Sequence, residues 1–477
     1  MSEQEALALK VQTGLSDDNY QLIKNNAKKH NADIYPSLHK LFEEKQKCYP
    51  SNLKFTEISA KCDLSDMIKH TISRIIELVK DDIEPNDKEA VFRFKAGFDG
   101  ASSQSVYKQK FEDAENAENC TEESLFQTAL VPLRLVIGER IVWQNVKPNS
   151  SLFCRPLNIQ FRKETKELSL EEYEDLKAQI EVLTPYVHNG LSIKSQVDLT
   201  MFDNKVVNAL TNTNFTQSCN ICKAGPKILN NIELLKTLPV DKFACSLGLS
   251  TLHCHIRIFE YVLHLGYKMD IKKHQARLPE EKLSVAERKK AIQDRFKTEL
   301  SLLVDQPKVG HGNTNDGNTA RRAFENPELF SDITGVNLDV IKDLKTVLIA
   351  VCSGYHLHNE NFQAFCDKTL ELIVRHYDWY VIPPTVHKLL MHGNEIAANL
   401  ELPIGQYSEE AQETQHKELR YARLFHTCKI SRLNVMKNLY HFMLIRTDPA
   451  ISNISFKKHK SSGGGKALPD CVQELLK

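Results

Sequence analysis

The succession of apolar periods between residues 90 and 201 constrains the fold of this chain more than any other feature. Residues 90–98 (AVFRFKAGF) place Phe92, Phe94, Ala96 and Phe98 on one side with a period of two and run into Asp99-Gly100. Residues 129–143 (ALVPLRLVIGERIVW) are a second β-rich stretch, and 153–161 (FCRPLNIQF) alternate through Phe153, Leu157, Ile159 and Phe161. Ser169 and Glu172 then have capping-box spacing, and Tyr173, Leu176, Ile180 and Leu183 follow at helical intervals. Alternation returns at 193–201 (Ile193, Val197, Leu199, Met201) and ends at Phe202-Asp203, after which NKVVNAL reads as helix.

Strand, strand, strand, helix, strand, helix, with one acid closing the first strand and another closing the fourth, is the order of a ribonuclease-H-like sheet. The expected class is therefore α/β, a mixed sheet awaiting a third carboxylate from a later helix. Around it, residues 1–85 read as short helices broken at Pro36 and Pro50, with 63–80 the longest. Residues 86–214 form the first part of the sheet domain, and 215–400, mostly helical in pattern, form a large insertion. Residues 401–450 supply the closing helices. Residues 451–477, with Ser461-Ser462-Gly463-Gly464-Gly465, read as a flexible tail.

Acids at strand ends suit metal-dependent phosphodiester chemistry. In-line attack puts charge on the entering and leaving oxygens, and two Mg²⁺ ions about 3.5–4 Å apart can stabilise both. Mg²⁺ takes carboxylate oxygens and keeps several waters, so a few acids on a rigid support suffice. Asp99 and Asp203 are candidates, and the third lies in 404–424, where Glu410, Glu413, Lys417 and Arg420 share one helix face. Plainer readings stand beside these. Asp99 suits a turn before Gly100, Asp203 suits a helix cap, and 404–424 suits a surface helix with ordinary i,i+4 pairs. Asp99 is also out of phase with its strand's apolar side, which a bulge near Gly97 would correct.

Cys219 and Cys222 form a C-x-x-C in FTQSCNICKAG, and His387 and His392 lie five apart in PPTVHKLLMHGNE. Together they make a Cys₂His₂ set with spacings known for structural Zn²⁺, while buried thiols and surface histidines are the alternative. The remaining cysteines, Cys254 among them, read as core. Twelve scattered cysteines without a compact framework predict thiols rather than disulfides. Lys plus Arg equals Asp plus Glu at 62 each, so any nucleic-acid contact must rest on local clusters rather than net charge. Such clusters occur at 268–297, at 417–432 and at Lys457, Lys458 and Lys460. No apolar run approaches the ~18 residues of a membrane span, and the first residues, MSEQEALALKVQTG, lack a secretory pattern.

At these residues the chain resembles the Transib transposases and the catalytic subunit of the V(D)J recombinase. KAGFDGASSQSVYKQKF is similar to the block around the family's first catalytic Asp, and MFDNKVVNAL to the block around the second. NSSLFCRPLNIQF, LSTLHCHIRIFEYVLHLGYK and GHGNTNDGNTARR are similar to further blocks, and CNIC and VHKLLMH to the zinc pairs. IGQYSEEAQETQHKELR resembles the final block and puts the catalytic Glu on Glu413 rather than Glu410. The resemblance covers about residues 15–453. It implies a DDE-type DNA transposase that nicks DNA beside a terminal inverted repeat, forms a hairpin on the flanking DNA and joins the excised end to target DNA. Asp99, Asp203 and Glu413 would hold two Mg²⁺ (or Mn²⁺) ions, and Cys219, Cys222, His387 and His392 one structural Zn²⁺. Arg321, Arg322, Lys417 and Arg420 would touch the DNA backbone. A homodimer built through N-terminal dimerisation and DNA-binding helices, and a nuclear location, are further implications. The family places an end-recognition module ahead of those helices, where this chain starts. The alternative is thus a host-adopted DNA-binding protein that keeps the architecture without the chemistry.

Overall fold

The computed structural model describes residues 1–102, 111–112, 120–308, 312–459 and 467–477, without the side chains of 456–459. The linker expected at Ser461–Gly465, the basic side chains Lys457, Lys458 and Lys460, and parts of the first and fifth similar blocks lie outside the described residues. The chain divides into two compact units, Met1–Leu199 with Glu410–Lys466, and Thr200–Glu409 with Ala467–Lys477.

The first unit is built on a mixed sheet of eight strands. They are β1 (Lys54–Phe55), β2 (Ser59–Lys61), β3 (Glu89–Ala101), β4 (Leu125–Ile137), β5 (Arg140–Gln144), β6 (Arg155–Gln160), β7 (Tyr186–His188) and β8 (Leu191–Met201). Their order is β1-β2-β6-β4-β3-β8-β7, with β5 paired to β4. The expected period-two segments are thus strands, and β3 and β4 lie at the centre. β3 does not stop at Asp99, however. Gly100 and Ala101 pair onward with Phe126 and Leu125, so Asp99 sits inside the ladder opposite Gln127. The irregularity in β3 also falls at Arg93/Phe94 rather than near Gly97. Its cause is across the ladder, where Phe94 faces Pro132, which has no N–H to donate.

Helices cover both faces of β4, which explains its nearly unbroken burial. On one face lies helix Lys166–Glu181. Its cap is Thr165, whose hydroxyl accepts from the Leu168 N–H at 3.2 Å, rather than the expected Ser169. Glu172 is instead buried, accepting from Thr128, Asn158 and Gln160. On the other face lies helix Glu410–Phe425. The N-terminal helices Glu3–Thr13, Asp17–Lys29, Leu38–Gln46 and Leu64–Val79 are present, but 54–61 adds β1 and β2 to the sheet edge where only helices were expected.

The second unit is helical around Thr251–Lys268, which packs on Pro279–Leu300, Gly317–Glu325, Leu338–Cys352 and Pro384–Asn399. The expected tail is structured on both sides of 460–466. Helix Pro449–His459 belongs to the first unit, and Val472 is fully buried in the second, where the His358 N–H donates to the Leu475 carbonyl. All twelve cysteines are unpaired. Cys254 is core, but Cys428 and Cys471 are exposed, contrary to the core reading of the remainder. Among the described residues no helix is long and apolar enough to cross a membrane.

The first unit is tied together by a buried charge network. Arg74 donates to both oxygens of Asp448 at 2.9 and 3.0 Å and lies 3.5 Å from Glu44. Arg155, fully buried, is 3.9 Å from the same Asp448, and burial pulls its pKa down. Asp448 also caps helix Pro449–His459 through Ala450 and Ile451. Asp448→Asn keeps a capping side chain but removes the one carboxylate within 4.0 Å of Arg155 among the described residues. Unfolding of this unit is expected to become easier by about 3–5 kcal/mol. Urea unfolding read from Trp143 in a Trp379→Phe background measures it, and an unchanged midpoint would refute the assignment.

Candidate metal centres

In the first unit, strand pairing and helix packing bring Asp99, Glu413 and His416 together. One donor atom from each lies within 4.8 Å of the others. The His416 Nε2 is 3.9 Å from Asp99 Oδ2, and its Nδ1 is 3.5 Å from Glu413 Oε2. Asp99 Oδ1 accepts from the Gly100 N–H at 2.8 Å, which orients the carboxylate. The imidazole is 13% exposed while Glu413 is 50% exposed, so the cluster is open on the glutamate side. Two carboxylates and an imidazole can hold a divalent cation with open positions left for solvent or substrate.

What sets this geometry is the inward face of helix Glu410–Phe425. Gln412 donates to the Gln127 carbonyl at 2.6 Å, Gln127 donates its amide to Gln415, and Gln415 donates to the Cys154 carbonyl at 2.5 Å. All three side chains are fully buried. Gln127 is the cross-strand partner of Asp99, so the same amides that seat the helix bring its neighbouring face over Asp99. Glu413, not Glu410, is the glutamate in the cluster. Lys417 and Arg420 follow Glu413 on the exposed side of the helix. His416 was not singled out from the sequence, although it stands one helical turn after Glu413.

Asp203 lies in the second unit, four residues along the chain from Leu199. Its Oδ1 accepts from the Val206 N–H at 2.7 Å, so it caps helix Asn204–Leu210 as the plainer reading held. The remainder of the side chain lines a cleft of about 530 Å³ with His253, Arg257 and Lys388. Arg321 and Arg322 also belong to this unit, the first half-buried and the second exposed and donating to the Leu300 carbonyl at 3.2 Å.

The second unit holds the other cluster. Cys219, Cys222, His387 and His392 are all buried, with one donor atom from each within 4.8 Å of the others. The C-x-x-C pair sits in a tight knuckle. The Ile221 N–H donates to Cys219 Sγ at 3.4 Å, the Lys223 N–H to the Cys219 carbonyl at 2.9 Å, and Lys223 takes a φ of 60° to close the turn. From helix Pro384–Asn399, His387 Nε2 comes within 3.2 Å of Cys222 Sγ, and the two imidazoles meet edge to face at 5.1 Å. Neither nitrogen of His392 has a hydrogen-bond partner, nor has His387 Nδ1. The Cys222 thiol beside it, and the two neighbouring imidazoles after it, draw the Cys219 thiol toward the thiolate against the opposing effect of burial. Two buried sulfurs and buried ring nitrogens without partners, brought together in this way, could hold a metal ion.

No protein-family model matches this chain, and no curated protein is similar to it.

Elemental analysis is expected to return about one tightly held metal ion per chain from the Cys₂His₂ cluster. Cys219→Ser should lose that ion and make the second unit sensitive to proteolysis, because a closed thiolate–imidazole site contributes directly to folding. A metal-free protein that resists protease as well as the loaded one would remove the site.

Proposed function

We propose that this chain is a metal-dependent DNA strand-cleaving and strand-transferring enzyme of the DDE transposase type. In this reading the sheet is ribonuclease-H-like and the helical second unit is a zinc-stapled insertion. The observation that supports it most is the meeting of Asp99, from a central strand, with Glu413, from a helix far along the chain that packs on that strand's sheet. Asp203 enters as the third acid through its place in the chain, two residues after β8, the strand beside β3. Two divalent cations on such acids supply a hydroxide nucleophile and stabilise charge on the entering and leaving oxygens.

The chain's own residues then have separate tasks. The β3–β4 ladder and the Gly100 N–H hold Asp99, and the glutamine amides hold Glu413 opposite it. Lys417 and Arg420, exposed beyond Glu413, meet the phosphate backbone, with Arg321 and Arg322 serving the second unit. Zn²⁺ on the Cys₂His₂ set staples residues 219–222 to helix Pro384–Asn399, since the borderline-soft ion matches two thiolates and two imidazoles. The N-terminal helical region suits a homodimer contact, because Leu22 and Phe42 on its helices and Ile34 between them are 62%, 59% and 50% exposed. A DNA substrate places the protein in the nucleus.

His416 adds a nitrogen to a site otherwise made of oxygens. Imidazole suits Mn²⁺ better than Mg²⁺, which demands oxygen ligands and keeps its waters. His416→Ala is expected to weaken Mn²⁺ binding about ten-fold, read from the free Mn²⁺ signal in electron paramagnetic resonance, with Mg²⁺ competition little changed. Equal Mn²⁺ affinity in both proteins would exclude His416 as a ligand.

Supercoiled plasmid tests the whole reading without knowledge of the terminal repeats. The protein should nick it in Mg²⁺ or Mn²⁺, and Asp99→Ala, Asp203→Ala and Glu413→Ala should each slow nicking by about 100-fold or more. Wild-type nicking in any one of these folded variants would remove that residue from the site. Salt-sensitive DNA binding with no nicking in either metal would instead select the DNA-binding reading without chemistry.

A further inference from the structure

Lys388 is the residue that neither cluster uses. It follows His387 on helix Pro384–Asn399, it is 4% exposed, and it lines the cleft that also takes Asp203. Among the described residues its ammonium makes no hydrogen bond and no ion pair. The acidic and thiol groups whose charge acts on it are Cys219, Cys254, Cys245 and Glu409. None of these forms an ion pair with it. Cys254 and Cys245 are buried thiols raised well away from ionisation. Both Glu409 oxygens are engaged, one by Ser250 and by His253 at 2.9 Å, the other by Ser408 at 3.3 Å. Cys219 belongs to the Cys₂His₂ tetrad.

A buried lysine without an ion-pair partner is costly, and a protein that keeps one gains when an anion arrives. The rest of the lining suits an anion with several oxygens. Asn204, Asn208, Thr216 and Ser218 carry amide and hydroxyl donors, and Arg257 lines the cleft in an ion pair at 2.7 Å with Glu260, which also lines it. About 530 Å³ is more room than a lone carboxylate needs and enough for a nucleotide-sized group.

We propose that this cleft is a phosphate-binding site in which Lys388 grips a backbone phosphate of the nucleic acid beside Asp203. It rests on the DNA reading above for the source of the phosphate and on the cleft alone for its chemistry. A lysine acts here as a point charge, which holds a phosphate without reading sequence.

Lys388→Met keeps the aliphatic stem and removes the charge. Two measurements on the full, metal-loaded chain separate the site from its ligand. In thermal melting, the wild type should be stabilised by millimolar inorganic phosphate over chloride at equal ionic strength, and Lys388→Met should not respond. Without phosphate the variant should melt higher than the wild type, since an unpaired buried charge has gone. In fluorescence anisotropy with a labelled DNA duplex, the variant should bind about ten-fold more weakly at physiological salt, and its salt slope should fall by about one. Metal content should not change. If wild-type melting ignores phosphate, the site is refuted whatever the variant does. If phosphate stabilises the wild type through Lys388 but neither protein binds duplex, the nucleic-acid source is overturned and the DNA reading with it. If both proteins bind duplex with equal affinity and slope, Lys388 is not a DNA contact although the DNA reading survives.

Discussion

The rotation of helix Glu410–Phe425 about its own axis decides whether Glu413 can reach Asp99, and three buried glutamine amides fix that rotation. At 100° per residue, Gln412, Gln415 and Leu419 form the inward stripe, which puts Glu413 and His416 on its flank and Lys417 and Arg420 outside. An apolar stripe alone would tolerate some slippage, because dispersion contacts have little directionality. Amide bonds do not tolerate it. Each exchange among Gln127, Gln412, Gln415 and the Cys154 carbonyl contributes only about 1 kcal/mol net, but breaking one partner inside the core costs about 1–3 kcal/mol. Further along the same helix, Arg423 donates to the Glu122 carbonyl at 2.7 Å, and Glu122 also takes Arg432. The helix is therefore pinned at both ends, and the carboxylates meet because polar groups that can only be satisfied in one register sit beside them.

The second unit solves a different problem with a different device. Its helices share a broad apolar core, which fixes volume but says little about where helix Pro384–Asn399 sits along its axis. The Cys₂His₂ set supplies that register, since a knuckle closed by Lys223 in the left-handed region presents two sulfurs to a pair of imidazoles from the helix. Lys388 follows from the same placement. A helix that must point His387 and His392 into the interior carries Lys388, the next residue after His387, inward too, and the cleft beside Asp203 is where its charged end can be of use.

Much of this was legible where the chemistry is local. Alternation marked β3, β6 and β8, the β-rich stretch 129–143 proved to be the end of β4 and all but the last residue of β5, and C-x-x-C with a spaced histidine pair marked four residues that do come together. What escaped depends on partners far away in the chain. Asp99 looked like a strand end because nothing near it announces that Gly100 and Ala101 pair with Phe126 and Leu125. Ser169 looked like a cap because its spacing to Glu172 fits, whereas Glu172 is drawn inward by Thr128, Asn158 and Gln160. Gln127 and Gln415, 288 residues apart, carry no signal of each other. One local signal went unread. Asn189-Gly190, with φ of 50° and 86°, is the two-residue turn that joins β7 to β8, and Asn-Gly between apolar runs is a strong hairpin mark.

Buried polar atoms without partners point to ligands only when they converge. Arg155 has all three guanidinium nitrogens buried without a hydrogen bond, yet Asp448 sits 3.9 Å away, and the arginine answers a carboxylate that also holds Arg74 and a helix cap. Its environment is closed and its charge is balanced within the network, so it marks structure. His392 also has unsatisfied nitrogens, but there two sulfurs and a second imidazole aim at the same point. Lys388 differs again, with no ion pair among the described residues and a cleft open beside it. The distinction is physical rather than statistical. An unsatisfied group is stabilised either by a charge already present or by one that must be brought, and only the second leaves space next to the atom.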